Sequence, residues 1–424
     1  METENKSGVK IDTTEGLYDV HADSNDIFDK AAYFFNQYQQ IKSSGYYFYR
    51  RPLLSACGNK VTVMNEETGK PQEMLLFSSN SYLGLSTDSR VVEASIKAAE
   101  KYGYGTGSVA LMSGTTDLLL ELEKQIAEFY KCEAAAVFPT GYQANVGTIQ
   151  ALLGGKDVAL SDMFSHASII DGVVLSEGIL KYFQHNDMES LEALLKRASR
   201  HFKGKLIVTD GVFSMDGDIA PLDRLHELAR KYNARLLIDE AHALGIIGKN
   251  GRGTAEYFGL EGKIDLTIGT LSKAPSAIGG YLTGKKDVVE YVRHFARSYI
   301  FSTSIPTPVV AGLIEVFKIL ANDPEPRKKL TFNTSHLNKG LLELGFNTLG
   351  STTAIIPVLI PDENKLRLVC KELFDCGFYV SPVTFPAVAK GRARLRISVS
   401  AAHTLSDLNS LLENLKDLKK KHEL

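Results

Sequence analysis

The sequence lacks the features that mark several large classes of proteins. Its formal net charge at pH 7 is −2, so no overall attraction favours nucleic acid or a charged membrane surface. No uncharged apolar run approaches the roughly 20 residues that cross a bilayer, which leaves only peripheral membrane contact open. The polar, acidic residues 1–6 do not resemble a secretory signal or a basic presequence. We therefore expect a cytoplasmic protein without a nucleic acid partner.

Metal and nucleotide motifs are missing as well. The four cysteines show no Cys-x-x-Cys spacing, so we expect reduced thiols rather than disulfides or metal ligands. The aspartates in residues 210–218 lack the spacing of an EF-hand, and we predict no metal site. The Asp-Glu-Ala-His sequence at 239–242 is not accompanied by a Gly-x-x-x-x-Gly-Lys-Ser/Thr phosphate loop, which argues against a helicase-type ATPase.

The middle of the chain alternates apolar strands with helical patterns. Such alternation is typical of a parallel sheet covered by helices, and it predicts an α/β fold. The predicted strands lie near residues 134–138, 158–160, 206–208, 236–238 and 266–268.

The chain is long enough for a large domain and a smaller one. Pro324 and Pro326 break a helical stretch that begins near residue 308, and the last hundred residues read as α+β. We expect about the first 30 residues to be poorly ordered. The predicted division is an N-terminal segment 1–75, a large α/β domain 76–305 and a C-terminal α+β domain 306–424.

Lys273 is the residue that most directly suggests chemistry. It follows the apolar run 264–268, and lysine is rarely buried without a partner or a task. In a partly apolar pocket a lysine loses its proton more easily and can attack a carbonyl group. The nearby hydroxyls of Thr270 and Ser272 can donate hydrogen bonds to a phosphate. An amine beside phosphate donors is what pyridoxal phosphate (PLP) requires; a surface lysine at a strand end is the alternative.

Asp239 strengthens the case for a cofactor site. It ends the apolar run 236–238 and lies 273 − 239 = 34 residues before Lys273. Ligands of open α/β sheets bind at the carboxyl ends of the strands. Asp239 could pair with a protonated pyridinium nitrogen, and His242 could order that carboxylate or the oxygen of the ring. A plain carboxylate at a helix start is the alternative.

Further candidates follow other predicted strands. Gly141 and Tyr142 could offer backbone N–H groups to a phosphate, or form an ordinary turn. His166 could stack on a planar ring or cap a helix, and Ser214 could hydrogen-bond a phenolic oxygen. Arg396, in a strand-like run, could clamp a carboxylate; the arginine two residues before it shares its face, so both could equally be surface residues.

As a set, these segments resemble the α-oxoamine synthases, which are fold-type I PLP enzymes. The resemblance runs from about residue 46 to the C-terminus and implies a large domain with a mostly parallel, seven-stranded type of sheet. Within the family, residues 45–52, 272–280 and 381–388 are most similar to the bacterial serine palmitoyltransferases. The segments that carry the family resemblance are 79–85, 140–145, 166–172, 209–218, 239–245 and 269–273.

The resemblance implies a role for each catalytic candidate. Lys273 would bind PLP covalently and later move the Cα proton of the amino acid. Asp239 would pair with the pyridine nitrogen, and His166 would stack on the ring. His242 and Ser214 would hold the oxygen of the ring.

The resemblance also implies a homodimer with active sites shared between subunits. In such a dimer, a segment of the neighbouring subunit reaches the phosphate. The phosphate would be surrounded by Gly141, Tyr142, Thr270, Ser272 and, from the neighbouring subunit, Ser302 and Thr303. Arg396 and Asn80 match positions near the carboxylate of the amino acid.

The implied reaction is a decarboxylative Claisen condensation of an amino acid with a long-chain acyl thioester, either an acyl-CoA or an acyl carrier protein. L-Serine is the expected amino acid, the product would be an α-amino ketone such as 3-ketosphinganine, and the expected pathway is sphingolipid biosynthesis. Ala110 stands where the family usually has arginine, and Pro275 intrudes after Lys273. The first change favours a carrier-bound or unusual acyl donor.

Four alternatives remain open at this point. The enzyme could use glycine or alanine, or it could release a chain from a polyketide or fatty-acid-derived pathway. A plain aminotransferase fits the motif set less well. A non-catalytic partner that kept the fold is argued against by Lys273, Asp239, His166 and His242, which such a protein would not be expected to retain.

Overall fold

The computed structural model describes residues 26–65 and 68–424. Most of the segment expected to be poorly ordered lies outside these residues. The described chain divides into two compact units. The large unit contains Asn80–Phe332 and Ser400–Ala402. The small unit contains the described residues up to Ser79, together with Asn333–Val399 and His403–Leu424.

A single sheet forms the centre of the large unit, and seven described strands build it. The strand Gly280–Gly284 runs antiparallel to both neighbours, and the remaining strands of this sheet are parallel to one another. This confirms the predicted α/β fold with a mostly parallel sheet. In spatial order the strands are β3 (Ala134–Phe138), β9 (Gly280–Gly284), β8 (Leu266–Thr270), β7 (Arg235–Asp239), β6 (Gly204–Asp210), β4 (Asp157–Asp162) and β5 (Ile179–Phe183).

The inner strands are buried on both faces, as their nearly continuous apolar sequences require. Side chains alternate along each strand, so Leu237 and Ile268 belong to one apolar layer, and Leu236 and Ile238 belong to the other. Because the strands end at a common edge, polar residues that follow them are brought together there.

Helices cover this sheet. The helix Met188–His201 shows why they form: Asp187 caps its first backbone N–H groups, and Leu191, Leu195 and Ala198 face the core. The helices of the large unit are α2 (Ser89–Tyr102), α3 (Asp117–Tyr130), α4 (Gly141–Leu152), α5 (Ala167–Val174), α6 (Met188–His201), α7 (Leu222–Lys231), α8 (Thr254–Tyr257), α9 (Lys286–Phe295), α10 (Arg297–Ile300) and α11 (Thr307–Asn322).

The unit that contains helix α11 is not the one predicted from the sequence, which placed residues from 306 onward in the C-terminal domain. The structure includes it in the large unit, because its apolar side chains pack against α2 and α3. The boundary instead falls within α12 (Glu325–Glu343), at Asn333.

The small unit has α+β character. Its first sheet joins β1 (Lys60–Asn65), β2 (Lys70–Leu76) and β11 (Phe378–Tyr379), and its second joins β10 (Ile355–Leu359), β13 (Arg394–Ser398) and β12 (Ser381–Val383). Its helices are α1 (Asp29–Ser43), α13 (Glu363–Asp375) and α14 (Leu405–His422). Within the described ranges, no helix has the length and apolar character needed to cross a membrane.

Candidate active site

A cavity of about 260 Å³ lies at the carboxyl edge of the large sheet. It is lined by the residues that follow β3, β4, β6, β7 and β8, as expected for a ligand site of an α/β sheet. The structure thus brings together most of the candidates named from the sequence. Those that line the cavity are Gly141, Tyr142, His166, Ser214, Asp239, His242, Thr270, Ser272 and Lys273.

Lys273 lies in a tight loop, residues 271–279, that connects β8 to β9. The backbone N–H of Leu271 donates to the carbonyl of Gly279 at 2.9 Å, and the N–H of Ser276 donates to the carbonyl of Lys273 at 2.8 Å. Ser276 has a positive φ of 61°, which is the conformation that reverses the chain. The loop holds the half-buried Lys273 side chain at the cavity.

Asp239 is oriented by a chain of side chains. Its Oδ2 accepts a hydrogen bond from Nδ2 of Asn145 at 2.7 Å, and its Oδ1 accepts from the backbone N–H of Ala241 at 2.8 Å. The same Asn145 amide donates to Oγ of Ser168 at 2.9 Å, which lies 2.7 Å from Nδ1 of His166. Asn145 and Ser168 line the cavity and were missed in the sequence, because their role depends on contacts between distant segments.

His242 is held in place by Tyr82. Its Nδ1 lies 2.8 Å from the hydroxyl oxygen of Tyr82, and both side chains are buried. The Tyr82 hydroxyl also lies within donating distance, 3.2 Å, of Oδ1 of Asn80. Asn80 therefore contacts Tyr82, which in turn contacts His242, and Asn80 itself does not line the cavity. Its expected position near the substrate carboxylate stays a prediction.

Asp210 is a second carboxyl group in the cavity that the sequence did not single out. It pairs with Asp239 in the register of β6 and β7, and its Oδ2 accepts the backbone N–H of His166 at 3.0 Å. Burial, with the Asp239 charge adding to it, raises the pKa of Asp210 well above its ordinary value, while Lys273 opposes the shift. The cavity therefore contains, beside the amine of Lys273, a second carboxyl group that holds a proton more tightly than an ordinary aspartate.

The start of helix α4 has the geometry that favours a bound anion. Thr140 caps the helix by accepting the N–H of Gln143 at 3.1 Å, and the N-terminal dipole favours a negative group. Gly141 is required here, since a Cβ atom would lie 2.7 Å from Cβ of Thr270. The Thr270 and Ser272 hydroxyl oxygens lie 2.8 Å apart. Backbone and hydroxyl donors thus gather at one end of the cavity.

Ser302 and Thr303 do not line this cavity. The Ser302 hydroxyl oxygen accepts a hydrogen bond from Nε2 of Gln143 at 2.8 Å, and Thr303 forms an isolated bridge with Val109. Their expected contact with a phosphate in a neighbouring subunit stays a prediction.

Arg396 belongs to β13 of the small unit. The side chain is buried, and Nη1 donates to Oγ of Ser398 at 2.8 Å. The expectation that it binds the substrate carboxylate likewise stays a prediction.

Comparison with known proteins agrees with this arrangement. Residues 72–415 match the family described as aminotransferase class I and II. The chain is 41% identical over 374 residues to 8-amino-7-oxononanoate synthase 1 of Bacillus subtilis (strain 168), covering 88% of this chain and 94% of that protein. It is 42% identical over 384 residues to the 4-hydroxy-2,2'-bipyrrole-5-methanol synthase PigH of Serratia sp. (strain ATCC 39006), covering 91% of this chain but only 59% of that relative.

The fold is similar to solved serine palmitoyltransferases. A structure of the enzyme from S. paucimobilis with bound PLP and myriocin has a TM-score of 0.89 and 33% identity, covering 94% of this chain and 100% of that one. The sheet and the cavity thus define a fold-type I, PLP-dependent transferase. The chain belongs to the class I and II aminotransferase family and, within it, to the α-oxoamine synthases, which are acyl-transferring enzymes.

The residues of the cavity fit PLP. Lys273 offers an amine, Asp239 offers a carboxylate held by two N–H donors, and the Gly141 turn offers a cradle that a Cβ atom would fill. Within the part of the chain that the structure describes, Asn145 Oδ1 is buried and has no hydrogen-bond partner, which leaves an acceptor in the lining of the cavity. This donor set suits an aldehyde, a pyridine nitrogen and a phosphate on one molecule.

Proposed function

We propose that the chain condenses L-serine with a long-chain acyl thioester and releases CO2 and the free thiol. The observation that carries the proposal is the convergence of Lys273, Asp239, His166 and His242 on one cavity. The similarity to serine palmitoyltransferase over 94% of the chain supports serine as the amino acid. The balance is one acyl thioester, one amino acid and one proton consumed, with one α-amino ketone, one CO2 and one thiol formed.

PLP, when bound, supplies an electron sink that stabilises negative charge at the Cα atom of the amino acid. Lys273 would hold the cofactor through its amine and, when free, hold and move the Cα proton. Asp239 would keep the pyridine nitrogen protonated, because Asn145 and the Ala241 N–H fix the direction of its carboxylate. His166 remains solvent-accessible, so a face of its ring is available for stacking.

Other residues of the cavity would orient the cofactor. His242 would face the oxygen of the ring together with Ser214, and the Tyr82 contact limits how the imidazole can rotate. The N–H groups at Gly141 and Tyr142 and the hydroxyls of the 270–272 turn would bind the phosphate. Asp210 would lower the repulsion beside Asp239 by keeping its own proton.

We also propose a homodimer in which each subunit supplies Ser302 and Thr303 to the phosphate of the other. Arg396 and Asn80 would bind the carboxylate of the amino acid. The support for these two points is the resemblance of the segments to the family, and gel filtration with light scattering checks the dimer.

A second candidate function has support from the sequence relatives. The B. subtilis relative makes 8-amino-7-oxononanoate, which is itself an α-amino ketone, so glycine or alanine is the alternative amino acid. PigH shows that a relative makes a different kind of product, which supports the alternative of a biosynthetic off-loading enzyme. Ala110 lies in the π-helical turn Ala110–Gly114, where the missing arginine favours a carrier-bound acyl donor over acyl-CoA.

Visible absorption of the PLP-loaded protein separates the candidates. Titration with L-serine, L-alanine and glycine in parallel should change the cofactor band at the lowest concentration with L-serine. A band that ignores serine and responds to alanine or glycine would move the enzyme to the second candidate, and product analysis with acyl-CoA and acyl carrier protein would then identify the donor. A protein without a cofactor band after addition of PLP would contradict the proposed function.

A further inference from the structure

His185 lies between two aspartates at the carboxyl edge of the large sheet. Its Nδ1 is 3.0 Å from Oδ1 of Asp162, the last residue of β4, and its Nε2 is 2.9 Å from Oδ2 of Asp218, in the loop after β6. A neutral imidazole carries one N–H and can donate to only one carboxylate, whereas an imidazolium donates to both. The geometry therefore favours the charged ring.

The surroundings of His185 hold that ring in one orientation. The ring stacks on Phe164 with 4.4 Å between centroids and meets Phe213 edge-on at 4.4 Å. Burial opposes the charge, but the hydrogen bonds to Asp162 and Asp218 outweigh burial and raise the pKa of His185 to about 9. Among the described residues, these two carboxylates are the charged groups found at hydrogen-bonding distance from the ring.

Each aspartate anchors a loop that carries a proposed cofactor contact. Asp162 starts the short loop that ends at His166, and its Oδ1 also accepts the backbone N–H of Phe164 at 2.8 Å. Asp218 closes the loop that contains Ser214, because its carbonyl accepts the N–H of Phe213 at 3.0 Å. The two loops are therefore joined through the His185 ring, and Asn186 adds a second, uncharged bridge: its backbone N–H donates to Asp162 Oδ2 at 2.9 Å and its Nδ2 donates to Asp218 Oδ2 at 2.7 Å.

We propose that His185 is a positioning residue, whose imidazolium ties the His166 loop to the Ser214 loop and so fixes how these two side chains meet PLP. This inference rests on the cofactor contacts proposed above for His166 and Ser214. His185 lies outside the lining of the cavity, so its effect on the cofactor passes through the two loops.

His185→Gln tests the link between the two loops, because glutamine keeps a side-chain donor and removes the charge. His294→Gln is the matched control, since His294 is exposed and bonds the Glu290 carbonyl within α9. The readouts are the PLP dissociation constant of the apo-protein and the visible circular dichroism of bound PLP, which reports the orientation of the ring. We expect at least tenfold weaker binding and altered dichroism for His185→Gln alone. Unchanged values in that variant would overturn the inference.

Asp218→Asn keeps the proposal testable if His185→Gln does not fold. Asparagine preserves a hydrogen-bond acceptor but removes the charge, so the pKa of His185 should fall. NMR of histidine-labelled protein should show the wild-type ring titrating near pH 9, and the pH at which the dichroism declines should fall with the ring pKa in the variant. A wild-type ring that is neutral at pH 7, or a decline that does not move, would overturn the inference. The PLP dissociation constant and the dichroism can be measured only on protein that binds PLP. Wild-type protein that binds no PLP would contradict the proposed function instead.

Discussion

The hydroxyl oxygen of Tyr82 lies 2.8 Å from Nδ1 of His242, and both side chains are buried. Tyr82→Phe removes this contact, which should cost about 1 kcal/mol of stability and shift the pH dependence of the PLP absorption band. Tyr130→Phe is a suitable control, because Tyr130 pairs with Tyr281 elsewhere in the same unit. Equal spectral effects in the two variants would mean that Tyr82 does not act through His242.

Lys273→Ala should abolish the covalent link to PLP. Treatment with borohydride followed by mass spectrometry measures that link, and the exposed Lys263 offers a control as Lys263→Ala. PLP that is still trapped in Lys273→Ala would show that another lysine is the nucleophile.

Asn145→Ala should lower kcat/KM by about 10- to 100-fold, because a hydrogen bond to a charged group contributes roughly 1.5–3 kcal/mol and Asn145 holds Asp239 at 2.7 Å. Thr148→Ala, one turn further along α4 and also buried, controls for general loss of packing. Steady-state kinetics measure both variants. A decrease of the same size in Thr148→Ala would remove the specific role of Asn145.

Much of the large unit could be predicted from the sequence, and the reasons are local. The apolar runs before Asp239 and Lys273 predict β7 and β8, because buried parallel strands require such runs. Strand β9, Gly-Tyr-Leu-Thr-Gly, was not predicted, since its two glycines resemble a turn. Strand β5 was missed because most of its residues are exposed.

The candidate site was predictable to the extent that its residues follow strands. Asn145 is the fifth residue of α4 and reaches Asp239 only in the folded chain. Asp210 was visible as the last residue of β6, but its position opposite Asp239 depends on the strand order. Pairing between strands sets these contacts, and no local pattern reports it.

Arg396→Ala should weaken binding of the amino acid more than binding of PLP. The planar guanidinium can bind a carboxylate with two hydrogen bonds, which lysine cannot reproduce, so Arg396→Lys should rescue only part of the loss. Spectral titrations with amino acid and with PLP measure the two affinities separately. Loss of PLP with unchanged amino-acid affinity would assign a different role to Arg396.

Glu240→Gln should change how stability depends on pH. Burial raises the pKa of Glu240 from 4.5 to about 7, although hydrogen bonds from Thr254 oppose the shift. Because the folded pKa exceeds the unfolded one, the stability from this group is complete below pH 4.5 and is lost as pH rises through about 7. The shift corresponds to a decrease in the free energy of unfolding on the order of 3 kcal/mol as the pH rises. Glu240→Gln should not show this decrease.

Urea unfolding at pH 5, 6 and 7.5 measures how the free energy of unfolding depends on pH in the wild type and in Glu240→Gln. Glu256→Gln is the control, because hydrogen bonds to Asn250 and Arg252 lower the pKa of Glu256 despite the opposing effect of burial. Wild-type and Glu240→Gln stabilities that change in parallel with pH would show that Glu240 titrates near its ordinary value.

The stoichiometry of the reaction tests the proposed condensation most directly. Carboxyl-labelled L-serine and a long-chain acyl thioester are mixed with PLP-loaded protein, and released CO2 and free thiol are counted together. We predict equal amounts of both, formed with the α-amino ketone, and neither product from Lys273→Ala. Thiol without CO2 would indicate a thioesterase, CO2 without thiol would indicate a decarboxylase, and either result would contradict the condensation.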